Sequence, residues 1–195
     1  MSRPPRVLGF TYLGPYRYFL TFCTFERRET FRDAAAANLA LAQFRRTARA
    51  AGFAILTYCL MPDHAHLLVE GKTVTADLRK FVKRAKQSTG QAHAHRAGVR
   101  LWQDGYHDRV LRPSDDAKAV ARYIIENPVR AGLVRVPTEY PHLGSDVWSL
   151  EELIDSSPLT FSDAGSASRH PAYMCGAGAY VGRVPRSGPA GAGGT

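Results

Sequence analysis

The chain has 195 residues, 45% of them hydrophobic, which is enough for one globular domain with an appendage. Its 26 Lys and Arg residues outnumber 17 Asp and Glu residues, and the resulting net charge of +9 favours nucleic acid as a partner, ahead of an anionic membrane surface. No stretch approaches the ~18 apolar residues of a transmembrane helix, and the basic start lacks the apolar block of a signal peptide. The three cysteines have neither metal-site nor redox spacing, so we expect a cytoplasmic protein.

The first half of the chain predicts a strand, a helix and a hairpin. Residues 17–25 are rich in aromatic and β-branched side chains, which is typical of a buried strand. Asp33 precedes an alanine-rich segment that a glycine ends, and this pattern predicts a helix over 34–51. The apolar run 53–61, a Pro-Asp turn and the segment 64–70 then predict two antiparallel strands joined by a short link.

The second half predicts a basic helix, a strand and a third helix. Residues 75–97 place apolar side chains at i, i+3, i+4 and i+7, so they form one helical face. Residues 99–112 contain a strand with a break or bulge at Gly105. Ser114 caps a helix over 115–127, which the following proline discourages from continuing.

The order of these elements predicts the fold class. The sequence β-α-β-β-α-β-α places the first six elements in the ferredoxin-like arrangement, an α+β fold with an antiparallel sheet and helices packed on one face. A composition rich in Gly, Ala, Ser and Pro begins near residue 156 and predicts a disordered C-terminal tail. We therefore predict a domain over 1–155 and a low-complexity tail over 156–195.

Two histidines stand at the start of the third predicted strand. Strand side chains alternate between faces, so His64 and His66 lie on one face, about 6–7 Å apart at Cα, where both can bind one divalent ion. An isolated pair of this kind also fits two polar residues on an exposed face, and this alternative stays open. His93 and His95 have the same spacing, but in a helix residues two apart do not share a face.

The third predicted helix adds an amide and a phenol. Tyr123 and Asn127 are four residues apart and project from one helical face. The carbonyl oxygen of an asparagine suits a hard cation such as Mg²⁺ or Mn²⁺, although two imidazoles and an amide would also accept softer metals. A phenol can attack phosphorus once a metal or a base activates it. A tyrosine beside two isoleucines also fits a core position, and only the combination with the histidines favours a site.

Basic residues concentrate between Lys72 and Arg112. This segment holds ten Lys and Arg residues against three Asp residues, which predicts salt-dependent binding to phosphates, although a solvated helix face is the alternative. Aromatic residues in the same segment could stack on bases or pack in the core. The predicted DNA contacts are Lys80, Lys83, Arg84, Lys86, Arg109, Arg112, Trp102 and Tyr106.

Three segments, in this order and at these separations, resemble the REP-associated tyrosine transposases, which belong to the single-tyrosine HUH transposases. They read YCLMPDHAHLLVEG, LWQDGYHDRVLR and ARYIIENPVRAGLV, and the resemblance covers about 17–148. It implies that His64 and His66 are metal ligands, that Tyr123 is the nucleophile and that Asn127 completes the metal coordination. It also implies the same ferredoxin-like fold.

The resemblance implies a metal-dependent transposase that cleaves and rejoins single-stranded DNA near REP-like hairpins through a 5′-phosphotyrosine. We expect Mg²⁺ or Mn²⁺ as the metal, and the resemblance leaves open a monomer or a homodimer. Asp63 stands where relatives often carry asparagine, and strand alternation directs its side chain away from the ion. Three alternatives stay open: a silent nucleic-acid-binding protein, a metal-dependent nuclease in which water attacks, and a replication or conjugation initiator.

Overall fold

The computed structural model describes residues 10–155, and the predicted tail at 156–195 lies outside this part of the chain. No helix between residues 10 and 155 combines the length and apolar character needed to cross a membrane. The helices and strands follow in the order β1 (Arg17–Cys23), α1 (Ala34–Ala50), β2 (Phe53–Met61), β3 (His64–Gly71), α2 (Leu78–Ala97), β4 (His107–Val110), α3 (Ala117–Ile125), α4 (Asn127–Arg130), β5 (Leu143–Gly144) and α5 (Leu150–Ile154).

The strands form one antiparallel sheet in the order β4-β1-β3-β2-β5. The first four strands have the ferredoxin-like order, so the predicted fold class is confirmed. The tight hairpin between β2 and β3 is also confirmed, because Met61 pairs with His64 across the Pro-Asp turn. The short strand β5, which the sequence pattern did not predict, extends the sheet beyond β2.

Helices cover both faces of the sheet. The first two helices pack on one face, as predicted, over a core that includes Leu20, Phe22, Phe44, Leu67 and Phe81. The third helix and α5 pack on the opposite face, over a core that includes Phe19, Leu68, Ala121, Ile124 and Leu153. The adjacent residues Phe19 and Leu20 are both buried, which is typical of a strand between two layers.

Two helices begin later than the sequence pattern predicted, because aspartates cap them. The Asp77 side chain accepts the Lys80 backbone N–H (3.0 Å), so α2 begins at Leu78. The Asp116 side chain, not Ser114, caps α3. A capping carboxylate satisfies a backbone donor that has no partner within the helix, and it favours the position just before the first turn.

Side chains of α2 hold the loop that leads into β4. Lys86 donates from Nζ to the backbone oxygens of Gln103 (2.7 Å) and Gly105. Trp102 donates its Nε1–H to Thr89 Oγ1 (2.6 Å) from inside the core. Burial of the ammonium lowers the pKa of Lys86 to about 8. Side chains of α2 therefore hold this loop in place through hydrogen bonds.

We expect Lys86→Met to change the pH dependence of stability. The pKa of Lys86 falls from 10.5 to about 8 on folding. The unfolded chain therefore binds more protons between these values, so the free energy of unfolding of the wild type rises with pH there. Between about pH 7.5 and 9.5 the wild type should gain roughly 1–2 kcal/mol relative to the variant in urea titrations. Lys83→Met, at an exposed position of α2, serves as the control; a constant difference between wild type and Lys86→Met would contradict the expectation.

Candidate functional site

The histidine pair lies at the start of the central strand. Within the sheet, His64 pairs with Cys23 of β1 and His66 pairs with Thr21. The two Nε2 atoms are 3.1 Å apart. Two imidazoles that bind one ion at about 2.0–2.1 Å have a similar separation. The pair therefore fits a divalent cation, and because His66 is fully buried, the ion would enter past His64.

The other ring nitrogen of each histidine contacts a neighbouring polar side chain. His64 Nδ1 lies 2.6 Å from Asp63 Oδ1, and His66 Nδ1 lies 2.9 Å from Thr21 Oγ1. Asp63 also forms an ion pair with Arg27 (2.8 Å). Burial raises the pKa of Asp63, but the hydrogen bond from His64 and the charge of Arg27 outweigh it and leave the pKa below its usual value. These partners orient both rings, as neighbours of metal-bound histidines commonly do.

A tight turn after β1 brings Arg27 to Asp63. Glu26 and Arg27 have φ values of 54° and 57°, a left-handed conformation that costs roughly 1–2 kcal/mol for each residue other than glycine. Thr24 donates to the backbone oxygen of Asp63 from its N–H (3.0 Å) and from Oγ1 (2.8 Å). The turn after β1 and the turn before β3 are thus bound together directly beside His64.

Tyr123 lies on the same face of the sheet as the histidines. The ring of Phe19 is 5.3 Å from that of His66 and 6.2 Å from that of Tyr123, centroid to centroid. The Arg130 guanidinium lies over the phenol ring, 4.0 Å from its centroid, and its Nη1 binds Glu126 (2.9 Å). Such a cation–π contact holds the ring in place. Neither Arg130 nor Phe19 is recognisable as a site residue from the sequence pattern alone.

Asn127 lies at the junction of α3 and α4. Its Nδ2 donates to the backbone oxygens of Tyr123 (3.0 Å) and Ile124 (3.2 Å). The amide nitrogen therefore faces its own helix, and Oδ1 is the atom that can serve as a ligand. Between residues 10 and 155 no three His, Cys, Asp or Glu side chains lie close enough together to share a metal ion. Any third protein ligand from this part of the chain would therefore be of another type, such as an amide oxygen.

A third histidine belongs to the same face. His107 of β4 pairs with Thr21, so His107 and His66 lie on opposite sides of that threonine. Its Nδ1 is buried and has no hydrogen-bond partner among the described residues, and burial lowers the pKa of this imidazole. Only the strand register reveals this proximity, because His107 is isolated in the sequence.

The predicted DNA-binding cations lie on different sides of the sheet. Lys80, Lys83 and Arg84 are exposed on α2, on the face opposite the histidines. Arg109 pairs with Phe19 across the strands and so lies on the histidine face, where it binds Asp115 (3.0 Å). The exposed Arg112 follows β4.

The structure requires corrections for the remaining predicted DNA contacts. Trp102 is only 4% exposed and packs against Phe22 and Phe44, so it has no open face on which a base could stack. Tyr106 is half-buried against the same core. The Lys86 ammonium binds backbone oxygens of the protein. Core packing, the alternative for Trp102 and Tyr106, describes both in the structure, whereas the alternative for Lys86, a solvated helix face, does not describe its ammonium group.

The fold and the paired histidines define a ferredoxin-like α+β protein with a two-imidazole site beside a helical tyrosine. Residues 14–127 match the family described as Transposase IS200 like, and the chain belongs to this family. A Haemophilus influenzae protein described as a candidate REP-associated tyrosine transposase is 24% identical over 111 residues. The match covers 51% of this chain and 62% of that protein, so the chain spans about three fifths of that relative's length.

One solved structure shares the fold with a TM-score above 0.6. A REP-associated tyrosine transposase bound to a REP hairpin is similar with a TM-score of 0.61 and 21% identity, over 73% of this chain and 82% of that one. This similarity establishes the fold and, with the family match, confirms the resemblance predicted from the sequence motifs. A protein from Deinococcus radiodurans described as a candidate transposase is 26% identical with a TM-score of 0.45, over 63% of this chain and 96% of that one.

We expect Asn127→Asp to destabilise the protein more than Asn127→Ala. The alanine variant loses two hydrogen bonds to the end of α3, a loss of about 1–2 kcal/mol. The aspartate variant loses the same bonds and also places a negative charge beside helix carbonyls, which is unfavourable. Urea unfolding at neutral pH measures both, with the exposed Asn38 of α1 substituted in the same two ways as the control. Equal losses for the two Asn127 variants would contradict this account.

Proposed function

We propose that this chain is a metal-dependent transposase that cleaves and rejoins single-stranded DNA near hairpins through a 5′-phosphotyrosine on Tyr123. The observation that carries the proposal is the convergence of the His64 and His66 Nε2 atoms on the sheet face that also holds Tyr123. Family membership supports the reaction class. The REP hairpin bound to a protein of the same fold supports a hairpin substrate.

His64, His66 and Asn127 would hold the cation, which we propose to be Mg²⁺ or Mn²⁺. A divalent ion there would withdraw charge from the oxygens of the scissile phosphate. Nitrogen from imidazole and oxygen from an amide are both acceptable donors for these ions, and the phosphate supplies further oxygen ligands. The ion pair between Asp63 and Arg27 keeps His64 in its ligand orientation.

In the proposed reaction the Tyr123 oxygen attacks phosphorus in line. A bond forms between phosphorus and the phenol oxygen, and the bond to the 3′ oxygen breaks, releasing a 3′-OH end. A second 3′-OH end later displaces the tyrosine, so each step exchanges one ester for another and no ATP is needed. Arg130 over the ring and Phe19 beside it restrict the orientations from which the phenol attacks.

We further propose that the DNA contacts both layers of the protein. Lys80, Lys83 and Arg84 on α2 meet the phosphates of the hairpin, next to a groove between α1 and α2 that Arg84 and Arg46 line. The single strand then passes the β4 edge, where Arg109 lies, and reaches the histidines. This arrangement is compatible with a monomer or a homodimer.

We expect Tyr123→Phe to abolish the covalent protein–DNA adduct while leaving DNA affinity within about twofold. Phenylalanine keeps the ring between Phe19 and Arg130 but removes the side-chain oxygen that would bond to phosphorus. A labelled single strand with a hairpin, resolved on a denaturing gel, measures the adduct, and a mobility shift measures binding. Tyr16→Phe, at an exposed tyrosine, is the matched control.

The same gel distinguishes the alternatives. Chelation by EDTA, or His64→Ala, should remove the adduct without removing the tyrosine. Cleavage with free 5′-phosphate ends and no adduct would indicate a nuclease that uses water. Binding without cleavage under any metal would indicate a silent nucleic-acid-binding protein. Either result would overturn the proposed reaction.

Neutralising the exposed basic face of α2 should weaken DNA binding and reduce its salt dependence. If Lys80, Lys83 and Arg84 each contact a phosphate, the triple change to glutamine should lower the slope of log affinity against log salt by about 2–3. Lys80 also lies 3.5 Å from Asp77, so its single variant should have the smallest effect. Arg32→Gln is the control, because Arg32 is already paired with Glu29 (2.5 Å). An unchanged slope in the triple variant would place the hairpin elsewhere.

A further inference from the structure

The two imidazoles of the site have chemically different partners. His64 Nδ1 faces the carboxylate of Asp63 at 2.6 Å, whereas His66 Nδ1 faces the hydroxyl of Thr21 at 2.9 Å. A carboxylate engaged with a guanidinium accepts hydrogen bonds and does not donate them, whereas a hydroxyl does both. Asp63 therefore allows only one nitrogen of His64 to face it with a proton, whereas Thr21 allows His66 Nδ1 to be either protonated or unprotonated.

Asp63 fixes the proton of His64. The carboxylate accepts from Arg27 on one oxygen (2.8 Å) and contacts His64 on the other. His64 Nδ1 must therefore be the protonated nitrogen, and in the neutral ring Nε2 then holds a lone pair. This is the form that a metal ion requires, so His64 is prepared for coordination before the ion arrives.

His66 is in the opposite situation when no ion is bound. Its Nε2 lies 3.1 Å from His64 Nε2, so one of these two atoms must donate to the other. Because His64 Nε2 holds a lone pair, His66 donates, and its Nδ1 accepts from the Thr21 hydroxyl. His66 is fully buried, so its ring nitrogens do not face solvent.

We propose that cation binding switches the tautomer of His66 while that of His64 stays fixed. Solvent water takes the proton from His66 Nε2 and returns a proton to Nδ1, so the net proton count of the ring is unchanged. The Thr21 hydroxyl rotates and changes from donor to acceptor. Both Nε2 lone pairs then face the ion. That this ion is the one used in DNA cleavage rests on the proposed function. The change of tautomer at His66 does not depend on that function.

Thr21 is then a positioning residue, and its side chain must be able both to donate a hydrogen bond to His66 Nδ1 and to accept one from it. Serine retains a hydroxyl that can reverse, so Thr21→Ser should keep metal affinity within about threefold. Valine has the same shape and cannot accept the His66 Nδ1–H, which is buried in the metal-bound form. Thr21→Val should therefore weaken metal binding by about 10- to 100-fold. Asp63→Asn removes the fixed acceptor of His64, and the metal-free protein should then populate both tautomers of that ring.

The experiment is ¹⁵N NMR of the imidazole nitrogens in the full-length labelled chain at about pH 8, with Zn²⁺ alone as a diamagnetic probe. We expect metal-free His64 to be protonated at Nδ1 and metal-free His66 at Nε2, and both rings to be protonated at Nδ1 once Zn²⁺ is bound. His64→Gln and His66→Gln assign the resonances. Calorimetric titration with Zn²⁺ compares the Thr21 variants, and circular dichroism confirms that each is folded.

Two results would overturn the switch. One is metal-free His66 protonated at Nδ1. This result counts whether His64 is neutral or carries protons on both nitrogens. The other is a Thr21→Val variant that is folded and binds Zn²⁺ as tightly as the wild type. Neither readout involves DNA, so a failed adduct assay with a normal switch would overturn the proposed function alone. A normal adduct with metal-free His66 protonated at Nδ1 would overturn the switch alone.

Discussion

The register of β3 between β1 and β2 is the constraint on which the site depends. His66 pairs with Thr21 on one side and Cys59 on the other, so its ring lies on the same face as both. A slip of one residue would turn both imidazoles toward the α1–α2 core and bring Ala65 and Leu67 to the opposite face. Burying two unpartnered imidazoles in that apolar core would cost several kcal/mol, so the hydrophobic pattern of β3 enforces the position of the histidines.

The second layer of helices explains why the site is half closed. On the α1–α2 face the sheet is fully covered, whereas on the other face α3 and α5 pack over Phe19 and Leu68 and leave the start of β3 less covered. The histidines lie at this transition, where His66 is buried and His64 is partly exposed. A partly desolvated site strengthens the contacts between the rings and their partners, while an open side admits a substrate.

The sequence alone predicted the features that depend on local periodicity. Alternation along β3 places His64 and His66 on one face, as the strand register confirms. The four-residue spacing predicts Tyr123 and Asn127 on one helix, whereas α3 ends at Ile125 and Asn127 begins α4. Asp63, Thr21 and Arg130 could not be assigned this way, because their roles depend on contacts that strand register, a left-handed turn and a helix junction create. Trp102 was misassigned for the same reason, since an aromatic residue in a basic segment does not reveal which layer it enters.

The net charge of +9 sets the long-range electrostatic field of the protein, but it does not show which cations are free to contact DNA. Several cations are engaged inside the protein: Arg27 holds Asp63, Arg109 binds Asp115, and the Lys86 ammonium is bound to backbone oxygens. These groups still attract a polyanion at a distance, because their charge is only locally compensated. Direct phosphate contacts need side chains that can move to the phosphate, and the exposed face of α2 offers these. A basic segment in a sequence therefore divides, on folding, into cations that are bound within the protein and cations that stay exposed.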